Sequence, residues 1–263
     1  MTSEAHLDKT KVRHSFAAAA ETYDGFASLQ RQVGLELLCR FPQTKSAGVL
    51  LDLGCGTGFI SHQLSTACSG KQMIALDIAL PMLQTSRRKY PAMPVQYLCA
   101  DAEKLPIASN SIDQIFSNLA LQWAEDLPAI CADFKRVLNK QGQLIFATFG
   151  PETLVELKSA WAKVDDFTHV NVFHSADQIH DFLKAAGFKQ ISLQTQLYQS
   201  VYSDVEALMR ELKGIGAHNV NRLRNPKPTT KAQLKNMIRH YPAQMAGQGI
   251  IASYEIIFVK ASI

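Results

Sequence analysis

The chain has 263 residues, of which 47% are hydrophobic and 19% charged, and 27 Lys and Arg stand against 23 Asp and Glu for a net charge of +4. This composition is typical of a globular protein with a buried core and excludes wholesale disorder. The longest unbroken apolar run, residues 16–20, is far too short to span a bilayer, and the first residues carry charges of both signs, so we expect neither a membrane segment nor a secretory signal. Five scattered cysteines without a CxxC pair predict reduced thiols in a cytoplasmic protein, with neither a disulfide framework nor a zinc site.

Short apolar runs alternate with helical patterns between residues 48 and 148. The runs predict five strands, at residues 48–53, 73–77, 95–100, 112–117 and 143–148. The helical patterns predict helices at residues 59–67, 80–89 and 127–138. Strands that alternate with helices indicate right-handed β–α–β units, so the predicted fold class is α/β, Rossmann-like, with a parallel sheet covered on both faces.

Helical patterns dominate the two regions that flank this core. The first 46 residues lack strand signals and predict two or three helices. After residue 150, the pattern predicts helices at 152–164 and 176–186 and strands at 191–202 and 250–260. Residues 203–249, between these strands, are too long for a hairpin loop and carry helical patterns at 204–213 and 230–241, which favours a lid. We therefore predict an N-terminal helical cap (1–46), an α/β domain (47–202 and 250–263) and a helical lid insert (203–249).

A glycine-rich loop follows the first predicted strand, where residues 52–58 read Asp-Leu-Gly-Cys-Gly-Thr-Gly. A dinucleotide fingerprint would need glycine at position 59, which is Phe59, and no P-loop lysine follows. Glycines at this place let a ligand approach the backbone, and the negative charge of Asp52 suits a ligand with an ammonium or sulfonium group. The alternative is a tight strand–helix turn with no ligand.

Two further acids lie at strand ends. Asp77 ends the second strand, where a carboxylate can accept both ribose hydroxyl protons, and Asp101 follows the third, where it can accept from an exocyclic amine. Each alone is more often a turn or helix-cap residue. Together with the glycine loop they predict a single crevice at the carboxyl ends of the strands, where such sheets bind ligands.

This constellation resembles the class I S-adenosylmethionine-dependent methyltransferases, on residues 51–58, 76–78 with Met82 and Leu83, and 101–106. The resemblance implies a sheet with an antiparallel C-terminal strand. It places Gly54 and Gly56 under the cofactor, Asp77 on its ribose, Asp101 and Ala102 at the adenine, and Asn118 near the methionine part. The full set of cofactor-binding residues that we predict is Tyr23, Gln30, Asp52, Gly54, Cys55, Gly56, Asp77, Ile78, Met82, Asp101, Ala102, Asn118 and Leu119. Residues 140–142, Lys-Gln-Gly, depart from the Pro-Gly-Gly that is frequent in these enzymes.

The positive charge of the chain is concentrated in the lid. Residues 205–240 contain eight Lys or Arg and two acids, a net charge of +6, and the remainder of the chain has −2. The same span has no Phe, Tyr or Trp on which nucleic-acid bases could stack. A docking surface for an acidic partner and a solvated helix face are the two interpretations.

A closer resemblance extends nearly from end to end. Residues 11–16, 23–24, 29–31, 117–123, 169–171, 212–219 and 254–258 are similar to those of the malonyl-acyl-carrier-protein O-methyltransferases of biotin synthesis. The resemblance implies methylation of the free carboxyl of a malonyl thioester, on acyl carrier protein or coenzyme A, with the acidic carrier protein docked on the basic insert. We expect a monomer that needs no metal.

The chemistry that this activity requires is simple. A malonyl carboxylate is already ionised at neutral pH, so no general base is needed, and catalysis depends on positioning and exclusion of water. Selection of malonyl over acetyl needs a cation, and Arg210 and Lys213 are three residues apart on one predicted helix face. We predict Arg210 first and Lys213 second for the substrate carboxylate, with Tyr23 and His218 as further positioning residues. The alternatives are surface cations, a core tyrosine and a structural histidine.

Three other functions remain open on the sequence. The first is a small-molecule methyltransferase of the quinone-ring type, which an apolar and uncharged lid pocket would favour. The second is a nucleic-acid-binding protein that uses the basic insert, although the missing stacking residues make nucleic acid an unfavoured partner. The third is a cofactor sensor without turnover.

Overall fold

The computed structural model describes residues 7–41, 48–68, 70–217, 219, 227–242 and 249–263. The strands are β1 Gly48–Leu53, β2 Lys71–Asp77, β3 Val95–Cys99, β4 Ile112–Asn118, β5 Leu138–Phe149, β6 Lys189–Tyr202 and β7 Ile250–Ser262. The α-helices are α1 Lys9–Ala19, α2 Tyr23–Phe26, α3 Ser28–Arg40, α4 Phe59–Ala67, α5 Leu80–Lys89, α6 Leu127–Val137, α7 Val155–Trp161, α8 Ala176–Ala185, α9 Val205–Gly214 and α10 Lys231–His240. In the described part of the chain, no helix is both long and apolar enough to cross a membrane.

The strands form one seven-stranded sheet in the order β3-β2-β1-β4-β5-β7-β6. Strands β1 to β5 run parallel, and β7 is antiparallel to both β5 and β6. The predicted α/β fold, parallel with a C-terminal antiparallel strand, is therefore confirmed. The strand order reverses between β1 and β4, so the carboxyl ends of these two strands border the crevice at which sheets of this kind bind ligands.

Helices cover both faces of the sheet because its central strands are apolar on both sides. In β1, Leu50 packs into one hydrophobic cluster with α3, α4 and α7, and Leu51 and Leu53 pack into the other with α6 and α8. Successive side chains of a strand point to opposite faces, which is why neighbouring leucines belong to different clusters. This double burial rigidly positions the strand ends that carry the site.

The helix that the sequence predicts from residue 152 begins only at Val155. The preceding turn is hydrogen-bonded to β7 instead, since Gly150 N donates to Glu255 O at 2.9 Å and Leu154 N donates to Ser253 O at 2.6 Å. Backbone groups committed to a neighbouring strand are not available for a first helical turn. The predicted start of this helix at residue 152 is therefore wrong, because the turn before Val155 is hydrogen-bonded to β7.

The N-terminal helices and α9 meet above the carboxyl end of the sheet. A Cβ added to Gly214 would lie 2.2 Å from the Phe26 ring, and one added to Gly216 would lie 3.0 Å from Ser15 O. Thr22 Oγ1 donates to Gly214 O at 3.5 Å. The end of α9 is thus packed directly on the helices that cover the crevice.

Candidate active site

The glycine loop after β1 has three residues with positive φ: Gly54 at +72°, Gly56 at +55° and Gly58 at +84°. A Cβ at Gly54 would lie 2.2 Å from Ala120 Cβ, and one at Gly58 would lie 2.0 Å from Ser86 Oγ. At Gly56, by contrast, a Cβ would meet nothing within 4 Å. Packing therefore requires Gly54 and Gly58, whereas Gly56 leaves open space over the loop for a ligand.

The Asp77 carboxylate, at the end of β2, is hydrogen-bonded to this loop. It accepts from Gly56 N at 2.9 Å and from Ala79 N at 2.8 Å. Only 8% of the residue is exposed, and this burial raises the pKa of the Asp77 carboxyl from 3.8 to about 6, against the lowering effect of its backbone hydrogen bonds. The side chain is fixed in place and ionised at neutral pH, as an acceptor for two ribose hydroxyls must be.

Asp52 is more deeply buried than the sequence suggests. It is 2% exposed, and Ser61 Oγ donates to its Oδ2 at 2.5 Å. Burial, together with the nearby charge of Asp77, raises the pKa of the Asp52 carboxyl to about 7. The carboxyl group is thus engaged with α4, and burial and the nearby Asp77 favour its protonated form, so Asp52 carries less negative charge than the sequence suggests.

Two small adjacent cavities, of 90 and 50 Å³, lie over the strand ends. Both are lined by Tyr23, Gly54, Gly56 and Asn118. The larger is also lined by Asp77, Ile78, Met82, Asp101, Ala102 and Leu119, and the smaller by Gln30, Asp52 and Cys55. We call the two together the cofactor crevice; it brings together all the cofactor-binding residues that the sequence predicts.

Two amide oxygens in the crevice lack partners. Asn118 Nδ2 donates to Gln30 O at 2.8 Å, which orients the Asn118 amide and joins α3 to the end of β4. Asn118 Oδ1 and Gln30 Oε1 are buried and have no hydrogen-bond partner among the described residues. An unsatisfied buried acceptor costs about 1–3 kcal/mol, so these oxygens fit a cationic or hydrogen-bonding ligand that satisfies them when bound.

The N-terminal helices close the crevice through polar contacts. Asp24 accepts from Thr57 Oγ1 at 2.7 Å and also pairs with Lys89, which ties α2 to the glycine loop and to α5. Burial, with the charges of Asp77 and Asp24, raises the pKa of the Tyr23 hydroxyl far above its usual value, so that it remains a donor. Tyr23 lines the crevice and does not line the larger cavity described below.

Helix α1 lines the crevice with Lys9, Val12 and Phe16, which the sequence analysis did not assign to the site. Lys9 Nζ lies 3.3 Å from Asp101 Oδ1 and 2.8 Å from Glu103 Oε1, so α1 is tied to the residues expected at the adenine. Phe16 packs edge to face on Trp123, with ring centroids 5.3 Å apart. The available signal was the Asp8 cap, whose side chain accepts from Lys11 N at 3.2 Å and marks the start of a helix.

A third cavity, of 620 Å³, adjoins the crevice, and we call it the acceptor cavity. It shares Trp123 with one part of the crevice and Gln30 with the other. Its lining is largely apolar, including Leu29, Phe149, Leu157, Trp161, Val170, Phe173, Met209, Ile215, Leu234 and Ile238. A ligand here would lie next to whatever occupies the crevice.

Helix α9 contributes most of the charged lining, to which Lys227 adds a further cation. Arg210 and Lys213 both line the acceptor cavity, as do the acids Glu206 and Glu211. The two cations are exposed side chains, whereas Glu211 is held by the Tyr202 hydroxyl, which donates to its Oε1 at 2.7 Å. The structure thus brings the two predicted cations to one cavity, and His218, the other predicted positioning residue, lies outside the described residues.

Comparison with known proteins agrees with this architecture. Residues 51–146 match the methyltransferase domain family. The chain is 38% identical to the malonyl-[acyl-carrier protein] O-methyltransferase of Gallionella capsiferriformans, over 98% of this chain and 92% of that one. It is 40% identical to the protein of the same name from Methylococcus capsulatus, over 95% and 92%.

Other similar proteins differ in length or are more distant. The chain is 39% identical to the biotin biosynthesis bifunctional protein BioHC of Cellvibrio japonicus, but spans only 50% of its length. Among solved structures, it resembles a putative methyltransferase from Bacillus halodurans with a TM-score of 0.64 at 16% identity, covering 88% of this chain and 98% of that one. It also resembles the phosphoethanolamine N-methyltransferase 2 of Haemonchus contortus in complex with S-adenosyl-L-methionine, with a TM-score of 0.59 at 18% identity, covering 94% and 57%. These two structures show the shared fold.

The residues of the crevice fit S-adenosylmethionine. A carboxylate at the end of β2 suits ribose hydroxyls, the open space over Gly56 admits a ligand close to the backbone, and acidic and amide oxygens suit ammonium and sulfonium groups. Among the described residues, no group of three or more His, Cys, Asp or Glu could hold a metal ion. With this site, this fold and relatives that it matches over nearly their whole length, the chain belongs to the malonyl-[acyl-carrier protein] O-methyltransferase family of S-adenosylmethionine-dependent methyltransferases.

Proposed function

We propose that this protein methylates the free carboxyl group of a malonyl group carried as a thioester by acyl carrier protein, or by coenzyme A, for biotin synthesis. Its relatives from Gallionella capsiferriformans and Methylovorus are named for this activity. The observation that carries the proposal to this chain is the acceptor cavity, which adjoins the cofactor crevice and has three cations in its wall, Arg210, Lys213 and Lys227. A methyl donor and an anionic acceptor can therefore meet at Gln30 and Trp123.

The crevice residues take the roles that the sequence predicts for them. Asp77 binds the ribose, Asp101 and Ala102 lie at the adenine, and Asn118 lies at the methionine part. To these we add Gln30, whose unpartnered Oε1 would face the methionine part beside Asn118. When bound, S-adenosylmethionine supplies an electrophilic methyl group on a sulfonium. Tyr23 covers the crevice and excludes water, which a reaction without a general base requires.

The cations of α9 select the acceptor. Within the described part of the chain the side chains of Arg210 and Lys213 have no ion-pair or hydrogen-bond partner, and Glu211 accepts from the Tyr202 hydroxyl. An unpaired guanidinium can donate two parallel hydrogen bonds to a carboxylate, and an ammonium can add a point charge. Acetyl groups, which lack the free carboxylate, would leave both cations unpaired and bind less well.

A basic surface beside the acceptor cavity fits an acidic carrier protein. Lys231, Lys235 and Arg239 are spaced four residues apart on α10 and are all exposed; we call them the α10 stripe. Apolar residues cover the rest of α10, with Met237 fully buried and with Leu234 and Ile238, which flank the stripe, in the wall of the acceptor cavity. The stripe therefore lies next to the cavity that takes the substrate, and charge complementarity would steer the carrier protein to it.

The same contacts support the division into a cap, an α/β domain and a lid. Helices α9 and α10, within residues 203–249, form one side of the acceptor cavity, and the helices of residues 1–46 close the crevice. We propose that the protein acts as a monomer in which the cap covers the cofactor and the insert covers the acceptor.

The test is methyl-ester formation. Purified protein with S-adenosylmethionine and malonyl-acyl carrier protein is expected to give a product one methyl group heavier by mass spectrometry, and acetyl-acyl carrier protein is expected to give none. If no ester forms although calorimetry shows bound cofactor, the substrate assignment is wrong.

Arg210→Ala tests the selecting cation. We expect KM for malonyl-acyl carrier protein to rise by about 10-fold or more, since a hydrogen bond to a charged group contributes about 1.5–3 kcal/mol, with unchanged affinity for S-adenosylhomocysteine. Arg239→Ala, on the α10 stripe, removes an arginine that does not line the cavity. This variant should leave the use of malonyl-coenzyme A unchanged. Equal loss of cofactor and substrate binding in Arg210→Ala would contradict its role.

The quinone-type alternative is not favoured. Its acceptor is uncharged, and it would be matched by an apolar cavity without cations. The acceptor cavity is largely apolar, but charged side chains of α9 line one side of it.

A further inference from the structure

The segment between α7 and α8 forms a wall between the acceptor cavity and a fourth cavity, of 420 Å³. Both cavities are lined by Trp161, His169, Val170, Asn171 and Phe173. The segment is also attached to the lid, because Asn219 Nδ2 donates to Thr168 O at 2.6 Å. A side chain in this wall can therefore contact a ligand that extends from one cavity towards the other.

His169 is held rigidly in the wall by two neighbours. Its ring stacks on the Trp161 indole, with centroids 3.7 Å apart and planes only 6° from parallel. Its Nε2 lies 2.7 Å from Asp165 Oδ1, which also accepts from Phe167 N at 3.1 Å. A carboxylate only accepts, so Nε2 carries the hydrogen and Nδ1 of the neutral ring presents a lone pair.

The Nδ1 atom is available to a ligand. It has no hydrogen-bond partner among the described residues and is not fully buried. Asp165 Oδ2, by contrast, is buried without a partner. A fixed ring with a free acceptor at a cavity wall is suited to a ligand that offers an N–H or O–H donor.

The acyl group cannot supply that donor. A malonyl thioester has an ionised carboxylate and a thioester carbonyl, which both accept. The thiol arm of a carrier protein or of coenzyme A, by contrast, contains amide N–H groups. The size of the acceptor cavity also indicates a ligand larger than the acyl group. Its volume of 620 Å³ lies within the range of about 300–1,000 Å³ for drug-sized ligands, whereas a malonyl group is far smaller.

We propose that the segment 161–173 forms a subsite for the amide-bearing thiol arm of the acceptor, in which His169 Nδ1 accepts an arm amide N–H. Asp165 is the positioning residue that fixes the tautomer, and Trp161 fixes the plane of the ring. This inference rests on the proposed function and adds to it a contact that recognises the carrier rather than the acyl group.

Two substitutions at one position separate the roles of the two ring nitrogens. His169→Gln places an amide near Nε2, which keeps the hydrogen bond to Asp165 but removes the acceptor at Nδ1. His169→Asn, being shorter, places an amide near Nδ1 and gives up the bond to Asp165. Both lose the stacking on Trp161, so each controls for the other.

The experiment compares two malonyl thioesters: malonyl-pantetheine, whose arm has amides, and the malonyl thioester of propanethiol, which has none. For His169→Gln we expect KM for malonyl-pantetheine to rise about five- to tenfold, the scale of one neutral hydrogen bond, with kcat within about twofold. Activity on the propanethiol thioester should not change, and His169→Asn should retain most of the affinity for malonyl-pantetheine. Melting temperature and S-adenosylhomocysteine affinity serve as controls for folding.

Three results would overturn the subsite: equal losses on both thioesters, no loss on malonyl-pantetheine, or a His169→Asn variant as impaired as His169→Gln. Absence of any methyl ester with the unmodified protein would instead refute the proposed function. In that case, titration of pantetheine into the protein loaded with S-adenosylhomocysteine, followed by NMR, decides the inference: weaker binding by His169→Gln supports it, and equal binding refutes it.

Discussion

Substitution of Asp77 by Asn should separate the stability of the protein from its affinity for the cofactor. The carboxylate is buried and accepts two backbone N–H groups, from Gly56 and Ala79. Its pKa is raised from 3.8 to about 6, so keeping it ionised costs the folded state about 3 kcal/mol at pH 8. Asn removes this cost, but it has one acceptor oxygen fewer and leaves a backbone N–H unpaired, at about 1–3 kcal/mol. The two effects nearly cancel, so the free energy of unfolding without ligand should stay the same or rise by up to about 2 kcal/mol.

Cofactor binding should respond in the opposite direction. A carboxylate can accept both ribose hydroxyls, and hydrogen bonds to a charged group contribute about 1.5–3 kcal/mol each. Loss of one such bond would weaken S-adenosylhomocysteine binding by about 10- to 100-fold. A variant that melts no lower than the parent yet scarcely binds cofactor is therefore the expected result.

Calorimetric titration with S-adenosylhomocysteine and thermal unfolding without ligand give the two measurements. The matched control is Asp113→Asn, because Asp113 also accepts from a backbone amide, Val49 N at 2.6 Å, at the opposite end of the sheet. It should retain full affinity. Unchanged cofactor affinity in Asp77→Asn, or a loss of ligand-free stability well above 2 kcal/mol in the variant, would refute the reasoning.

Three further predictions concern pH, the glycine loop and the lid. Because the raised pKa of Asp77 favours the protonated form in the folded state, its contribution to stability is present below pH 3.8 and is lost as pH rises through about 6. Cofactor affinity has the opposite dependence, and calorimetry should show the Kd of S-adenosylhomocysteine rising as pH falls below about 6. The rise should be smaller in Asp77→Asn, in which Asp52 still titrates, and a flat profile in the parent would contradict the prediction. Gly56→Ala should cost only about 1 kcal/mol of stability from its positive φ while impairing cofactor binding, whereas Gly54→Ala should destabilise the fold because its methyl would lie 2.2 Å from Ala120 Cβ; equal melting temperatures would contradict this difference. Charge reversal of the α10 stripe should raise KM for malonyl-acyl carrier protein and weaken the salt dependence of KM. Lys184→Glu, at an exposed lysine of α8, is the control, and no change in the stripe variant would exclude docking there.

The sheet and the cofactor crevice were largely predictable because their signals are local. Buried parallel strands read as short apolar runs, and the turn after β1 needs glycine at Gly54 and Gly58 for steric reasons that act within a few residues or across one packed contact. Asp77 could be identified as a crevice residue because it stands at the end of a predicted strand. In a parallel sheet, sequence position alone brings such ends to one edge, so residues far apart in the chain could be assigned to one crevice.

The start of α7 and the contact between α1 and Asp101 were not predictable in this way. The turn before α7 is set by hydrogen bonds to β7, about one hundred residues further along the chain, as for Glu152 N to Glu255 Oε2 with a separation of 103 residues. Lys9 likewise reaches Asp101 over 92 residues. Contacts between residues so far apart in the chain leave no periodic pattern in the local sequence, because the partner comes close only in the folded protein.

The sequence by itself determined the α/β class, the glycine loop, the acids at the strand ends and the concentration of positive charge in the insert. All of these depend on local periodicity, on steric limits of the backbone or on composition. Only the tertiary structure decided that Arg210 and Lys213 share a cavity with Gln30 and Trp123 and that His169 has one ring nitrogen fixed and the other free. A cavity is defined by surfaces from several elements at once, and a tautomer by the partner on the far side of the ring, so neither is present in the chain until it has folded.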